Sequence, residues 1–78
     1  MDHTSDIPEQ YWNILEQYRE ELTSQAAGIL GNREDAEDVV QETFCEVLRD
    51  AGCLEKTESV GATLRMINRR NSLNRMRS

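Results

Sequence analysis

The sequence predicts a small all-α domain, a three-helix bundle made of an antiparallel helical hairpin and a third, basic helix. Three observations lead to this prediction. Apolar residues recur at three- and four-residue spacing, turn residues separate the periodic stretches, and the 78 residues include one proline and only 5% aromatic residues. A chain of this length buries only about 60% of its unfolded surface, so its core is expected to be small.

The first helix is predicted to run from Glu9 to Leu30. Pro8 suits the start of a helix because its fixed φ is pre-organised for the first turn, and Gly31-Asn32 is a turn pair that ends the helix. Residues 1–8 are therefore expected to form a flexible tail and residues 9–78 the helical domain. The expected apolar stripe is Tyr11, Leu15, Tyr18, Leu22, Ala26 and Ile29.

The second helix has a marked start. Asn32 is a good N-cap, because its side-chain oxygen can accept a backbone N–H of the first turn, and Glu34 and Asp35 place negative charge where the helix dipole favours it. A helix joined to the first by so short a turn should lie antiparallel to it, and it should end before Gly52. Its apolar face is expected to comprise Ala36, Val39, Val40, Thr43, Phe44, Val47 and Leu48.

The opposite face of the second helix carries acidic and amide side chains more densely than solubility requires. A merely solvated face is the alternative interpretation, because charge runs on helices usually indicate exposure. The residues of this acidic strip are Glu37, Asp38, Gln41, Glu42 and Glu46.

The third helix follows a loop over residues 52–59, in which Leu54 is expected to reach the core and Thr57 or Ser59 to cap the helix. Apolar residues stop recurring after its first two turns, because asparagines fall where they would continue. The helix should therefore pack through two turns and then project or fray. The expected core positions are Val60, Leu64 and Ile67, and the interrupting residues are Asn71 and Asn74.

Charge is segregated along the chain. Residues 1–60 carry 4 basic and 15 acidic residues, a balance of −11, whereas residues 61–78 carry five arginines and no acid, which leaves a net charge of −6. An acidic body with a basic end suggests two surfaces for two partners, one of them a protein and the other a nucleic acid. Helix-dipole matching explains an arginine in a last turn, but not five arginines spread from Arg65 to Arg77.

The arginine- and asparagine-rich end of the third helix suits nucleic acid. Arginine pairs with phosphate or stacks on bases, and asparagine can read a base edge. Arg65, Asn68 and Arg69 lie within a turn of one another, so one helical face can present all three. A solvated basic helix is the alternative.

No other chemistry is indicated. The carboxylates have no histidine partner and no glycine-rich phosphate loop, so we expect no enzyme, no cofactor and no metal site. No apolar run approaches about 18 residues and the N-terminus is no signal peptide, which favours a cytoplasmic protein without a membrane partner. Cys45 and Cys53 are expected to be buried or half-buried thiols rather than a redox pair, and Trp12 to pack rather than to edge a partner site.

Residues 31–44, Gly-Asn-Arg-Glu-Asp-Ala-Glu-Asp-Val-Val-Gln-Glu-Thr-Phe, strongly resemble the second conserved helix in region 2 of bacterial sigma factors, most closely those of the extracytoplasmic-function (ECF) group. The resemblance extends from Tyr11 to Arg77. It implies that this helix binds core RNA polymerase at the clamp coiled coil of the largest subunit. The matching residues are Asp38, Gln41 and Glu42, and Phe44 and Leu48 nearby are counted with them as polymerase-binding residues.

The third helix resembles the region 2 helix that reads the −10 promoter element, and Leu64, Ile67 and Arg69 match its pattern. Thr63 and Arg65 stand where that family has aromatic residues. The residues that the resemblance and the composition place on DNA are Arg65, Asn68, Arg69, Arg70, Asn71 and Arg75.

The resemblance implies a transcription initiation module that binds core RNA polymerase through its acidic second helix and single-stranded non-template −10 promoter DNA through its basic third helix. The alternative is a region 2-like adapter that binds polymerase or an anti-sigma factor without reading promoters. Residues 54–61 contain no aromatic residue on which a base can stack, which favours the adapter. Nothing in the sequence resembles region 4, so we expect either a fragment of a longer factor or a standalone region 2-like protein.

Overall fold

A computed structural model describes residues 9–49 and 57–77 of the chain. It contains three helices, α1 (Glu9–Leu30), α2 (Arg33–Arg49) and α3 (Thr57–Arg77). Apart from the two residues between α1 and α2, every described residue is helical. The predicted all-α, three-helix fold is confirmed, and α1 has the predicted bounds.

The turn between α1 and α2 is built as its residues predict. Gly31 has a φ of 71°, a left-handed conformation that glycine adopts without strain, and its N–H donates to the carbonyl of Ala27 at 2.7 Å. The side-chain oxygen of Asn32 accepts a hydrogen bond from the N–H of Asp35 at 3.1 Å, which confirms Asn32 as the N-cap of α2. The hairpin therefore has a satisfied helix end on each side of its turn.

The contacts between side chains fix the directions of the helices. Arg65 near the start of α3 contacts Glu21 of α1, while Arg75 near the end of α3 contacts Asp35 at the start of α2. Thus α3 lies antiparallel to α2 and parallel to α1. The main core cluster comprises Leu15, Leu22, Val40, Phe44, Val47, Val60 and Leu64, and Trp12 packs against it as predicted.

The prediction that α3 projects or frays after two turns is wrong. The helix continues to Arg77, and its later turns pack through polar side chains: Asn68 and Ser72 are fully buried and Asn71 is 8% exposed. Because α1 and α2 offer hydrogen-bond partners at these positions, asparagine can occupy sites that the sequence pattern assigns to apolar residues.

Asn68 is the centre of this buried polar layer. Its amide nitrogen donates to the carbonyl of Leu22 at 2.9 Å and to the side-chain oxygen of Gln25 at 3.0 Å, both on α1. Its oxygen accepts from the hydroxyl of Thr43 on α2 at 3.1 Å. Throughout residues 9–49 and 57–77, every buried side-chain nitrogen or oxygen has a partner. One asparagine therefore connects all three helices.

Of the two cysteines, only Cys45 lies within the described residues. Cys45 is exposed on α2, so the prediction of a buried or half-buried thiol is wrong for this residue. Cys53 and Leu54 lie outside the described residues. No helix in the described part of the chain is both long and apolar enough to span a membrane.

Candidate functional site

The outer face of α2 presents the acidic and amide side chains that the sequence singled out. Asp38, Gln41 and Glu42 are all exposed, and Asp38 is 66% exposed in its side chain. Their spacing of three and four residues places them on one side of the helix. A shallow groove runs along this face, lined by Gln41, Glu42, Cys45, Glu46 and Arg49.

Two residues that the resemblance associates with polymerase binding lie on the apolar face of α2, where their spacing predicted them. Phe44 is only 1% exposed and packs in the core, with the guanidinium of Arg19 5.1 Å from its ring centre, and Leu48 is half-buried against the same core. The expectation that Phe44 contacts a partner is wrong, because α2 turns this side chain toward α1. Phe44 holds the helix in place instead.

The six residues predicted to contact DNA are divided between the surface and the interior of α3. Arg65, Arg69 and Arg70 are exposed and Arg75 is half-buried, whereas Asn68 and Asn71 are buried. The expectation that Asn68 shares one presenting face with Arg65 and Arg69 is wrong, because its amide is used in the buried polar layer. Asn71 likewise donates to Thr43 at 3.3 Å and to Glu46 at 3.0 Å.

Most of the arginines of α3 are paired with carboxylates of the other helices. The Nε atom of Arg65 lies 2.5 Å from Glu21 on α1. The guanidinium of Arg70 pairs with Glu46 on α2. Arg75 pairs with both Asp35 and Asp38, also on α2, at 3.1 and 3.3 Å. The acidic body thus partly neutralises the basic helix.

Arg69 differs from these paired arginines. It is exposed, and it makes no hydrogen bond or ion pair with another residue of the described segments, 9–49 and 57–77. Met66 lies one turn earlier on the same side of α3 and is 65% exposed. Arg69 and Met66 together form an outward patch with a charged and an apolar part.

The ion pairs shift the pKa values of two of their members, Glu46 and Arg65. Partial burial raises the pKa of Glu46, but hydrogen bonds from Asn71 and Arg70 outweigh it, and the pKa lies below the ordinary value of 4.5. The hydrogen bond from Arg65 to Glu21 raises the pKa of the arginine. Both shifts favour the charged forms of Glu46 and Arg65.

The acidic face and the basic helix meet along a second shallow groove, lined by Glu42, Asn71, Asn74 and Arg75. Glu42 belongs to the outer face of α2 and Arg75 to α3. The two candidate surfaces are therefore neighbours rather than opposite sides of the domain.

Sequence reasoning did not identify the acidic partners of the arginines. The sequence does not distinguish the carboxylates that pair with arginines from the other acidic residues. The relative placement of the three helices determines that the paired residues are Glu21, Asp35 and Glu46. The segregation of charge along the chain was a signal that such pairs exist. It does not say which carboxylate meets which arginine.

Taken together, these features define a small helical domain with one acidic and one arginine-rich surface. Within the described segments no group of three or more acidic, histidine or cysteine side chains is placed to hold a metal ion.

Comparison with protein families identifies this domain. Residues 14–78 match the model of the family described as Sigma-70 region 2, so the chain belongs to this family and has a role in transcription initiation. The family is a class of non-enzymatic transcription-factor domains that associate with core RNA polymerase and promoter DNA. Searches of curated proteins and of solved structures found no match to the chain.

Proposed function

We propose that the chain is an ECF-type region 2 domain that docks on the clamp coiled coil of the largest subunit of core RNA polymerase through Asp38, Gln41 and Glu42. The observation that carries this proposal is that all three side chains lie exposed on one face of α2, while the opposite face forms the core. Such a strip of acceptors complements a basic or amide-rich partner. The proposed site of action is the cytoplasm.

We propose further that α3 contacts single-stranded non-template DNA of the −10 element through its outward face. Arg69 supports this proposal because its side chain is exposed and makes no hydrogen bond or ion pair with another described residue. Met66 beside it offers an adaptable apolar surface for an unpaired base, at a helix that lacks the family's aromatic residues. Asn68 and Asn71 are excluded from this surface, because their amides are buried.

An adapter that binds polymerase or an anti-sigma factor without reading DNA is the second candidate function. The observation that favours it is the pairing of Arg65, Arg70 and Arg75 with carboxylates, which leaves less positive charge for phosphate. Thr63 and Arg65 also replace aromatic residues that would stack on bases.

A salt titration of DNA binding separates the two candidates. Each phosphate contact to a single strand contributes about 0.7 to the slope of log affinity against log salt. We expect Arg69→Ala to weaken binding of single-stranded −10 DNA and to reduce this slope by about 0.7. The matched control is Arg33→Ala at the start of α2, which should leave the slope unchanged. Equal slopes for wild type and Arg69→Ala would favour the adapter.

A further inference from the structure

The polarity of the buried side of α3 changes along the helix. In its first turns the buried side chains include the apolar Val60 and Leu64. Between residues 68 and 77, all of which the structure describes, the buried side chains are instead the polar Asn68, Asn71 and Ser72. Hydrophobicity alone does not place these side chains inside, because burial of an amide is unfavourable unless the amide is hydrogen-bonded.

The opposite side of α3 exposes apolar side chains. Met76 is 56% exposed, and Met66 is more exposed still. Because each residue turns a helix by about 100°, Met66 lies roughly opposite Asn68 and Met76 roughly opposite Asn71. One exposed methionine needs no explanation, but here polar and apolar side chains have exchanged sides along the same part of the helix. A rotation of α3 about its axis would bury the methionines and expose the asparagines.

The hydrogen bonds of the buried polar layer oppose that rotation. Asn68 bonds to Leu22 and Gln25 on α1 and to Thr43 on α2, and Asn71 also donates to Thr43. Hydrogen bonds are directional, so bonds to two different helices can be made together in only one orientation of α3. The ion pairs between its arginines and the other helices are a weaker constraint, because these long side chains are exposed and can follow a rotation.

We infer that Asn68 and Thr43 are positioning residues, whose hydrogen bond selects the observed orientation of α3 against one in which the methionine side of the helix is buried. In coiled coils, one buried asparagine fixes the register of the helices at a cost in stability. The polar layer has the corresponding role here, because it determines which side of α3 faces outward. That this orientation presents Arg69 and Met66 to DNA rests on the proposed function, whereas the orientation itself does not.

The test replaces the central hydrogen bond of the layer by apolar side chains of similar shape. Asn68→Leu/Thr43→Val removes both partners of this bond together, so the domain should still fold. Orientation is then no longer selected, and two-dimensional NMR of the full chain should show doubled or exchange-broadened backbone amide signals along α3. The methyl signals of Met66 and Met76 should also be less accessible to a soluble paramagnetic agent than in wild type.

A control and a rescue distinguish orientation from stability. Thr43→Ser keeps the hydroxyl and should give a single set of signals. Met66→Gln/Met76→Gln, added to Asn68→Leu/Thr43→Val, should restore a single set, because the competing apolar side of α3 is then removed. A layer that only stabilised the fold would not be rescued by changes on the opposite side of the helix. A single set of signals with wild-type methionine accessibility in Asn68→Leu/Thr43→Val, or doubled signals that persist after the methionine substitutions, would overturn the inference.

If leucine is too large for the site, Asn68→Val/Thr43→Val makes the same test with a smaller side chain. Failure of both variants to fold would overturn the inference, because the layer would then be required for folding rather than for orientation.

Binding of single-stranded −10 DNA separates this inference from the proposed function. If about half of the molecules hold the other orientation, the affinity should fall by about twofold, because only the observed orientation presents the DNA-contact side. Two orientations by NMR with unchanged DNA affinity, or with no DNA binding even by wild type, would support the inference and refute the proposed DNA contact.

Discussion

Asn68 shows that one side chain in this domain can connect three helices through hydrogen bonds. It is fully buried and bonds to α1 and α2 at once, so removal of its amide disturbs the packing of all three helices. The sequence could not reveal this role, because an asparagine at a core spacing signals the end of an apolar stripe unless its partners are known. Thr43 and Gln25 are those partners, and they lie 25 and 43 residues away in sequence.

Replacement of Asn68 is expected to cost stability. Asn68→Ala should lower the free energy of unfolding by about 1–3 kcal/mol, because buried hydrogen-bonding groups lose their partner. Asn68→Asp should cost more, since a carboxylate oxygen would then face the carbonyl oxygen of Leu22 with no compensating charge. Urea denaturation measures both effects, and the exposed neighbour Arg69→Ala should change stability by less than about 0.5 kcal/mol. An Asn68→Ala variant as stable as wild type would contradict the structural role.

Glu46 makes stability depend on pH in a defined direction. Its pKa lies below the ordinary value of 4.5 because Asn71 and Arg70 hydrogen-bond its charged form. The stabilisation is therefore present above that value and is lost as the pH falls through the pKa of the folded state.

The substitution that tests this is Glu46→Gln. It should lower stability by about 0.5–1 kcal/mol at pH 7, a modest amount because the pair is partly exposed. The difference from wild type should shrink as the pH falls through the pKa of Glu46 in the folded state, because the wild-type carboxyl then also becomes uncharged. Thermal unfolding over this pH range measures it, with Glu42→Gln, which removes an exposed charge from the same helix, as the control. A difference that does not change with pH would contradict the assignment.

At the scale of the element, two glycines lie in different backbone environments. Replacement by alanine should therefore change the stability of the domain in opposite directions at the two positions. Gly28 lies within α1 and an added Cβ would meet no atom within 4 Å, whereas Gly31 has a φ of 71°. Gly28→Ala should therefore stabilise the domain by about 0.4–1 kcal/mol, through better helix propensity and a less flexible unfolded chain. Gly31→Ala should destabilise it by about 1 kcal/mol, because alanine is strained at that φ. Thermal melts of the two variants that shift in the same direction would contradict the described turn.

The helices were the most predictable feature, for local reasons. Gly31 and Asn32 set the boundary between α1 and α2 through backbone conformation and capping, which depend only on neighbouring residues. The later turns of α3 were not predictable in this way. Their burial depends on hydrogen bonds to other helices, and these exist only once the bundle has formed.

The candidate surfaces were predictable to different degrees. The outer face of α2 follows from helical spacing, so the exposure of Asp38, Gln41 and Glu42 could be predicted from the sequence. Phe44 lies on the apolar face that its spacing predicted and is buried there, so it is not part of the outer face of α2. For α3 the composition indicated a basic surface, but the ion pairs that restrain Arg65, Arg70 and Arg75 depend on tertiary structure.

At the scale of the whole molecule, segregated charge serves both folding and function. The carboxylates of α1 and α2 pair with arginines of α3 and so contribute to holding the bundle together. Gln41 and Glu42 lie exposed on the outer face of α2. A domain this small also gains stability from any partner that binds only its folded form.

The measurement that tests the central claim most directly is the affinity of the full chain for purified core RNA polymerase, by fluorescence anisotropy. Asp38→Lys/Gln41→Lys should weaken binding at least about tenfold, because reversed charges on the acidic face repel a basic partner. The matched control, Glu9→Lys/Gln17→Lys, makes a comparable change on α1, and circular dichroism verifies that both variants fold. Binding that is lost with the α2 variant and retained with the α1 control is the predicted result. Equal affinity for both variants, or no binding by wild type, would contradict docking through α2.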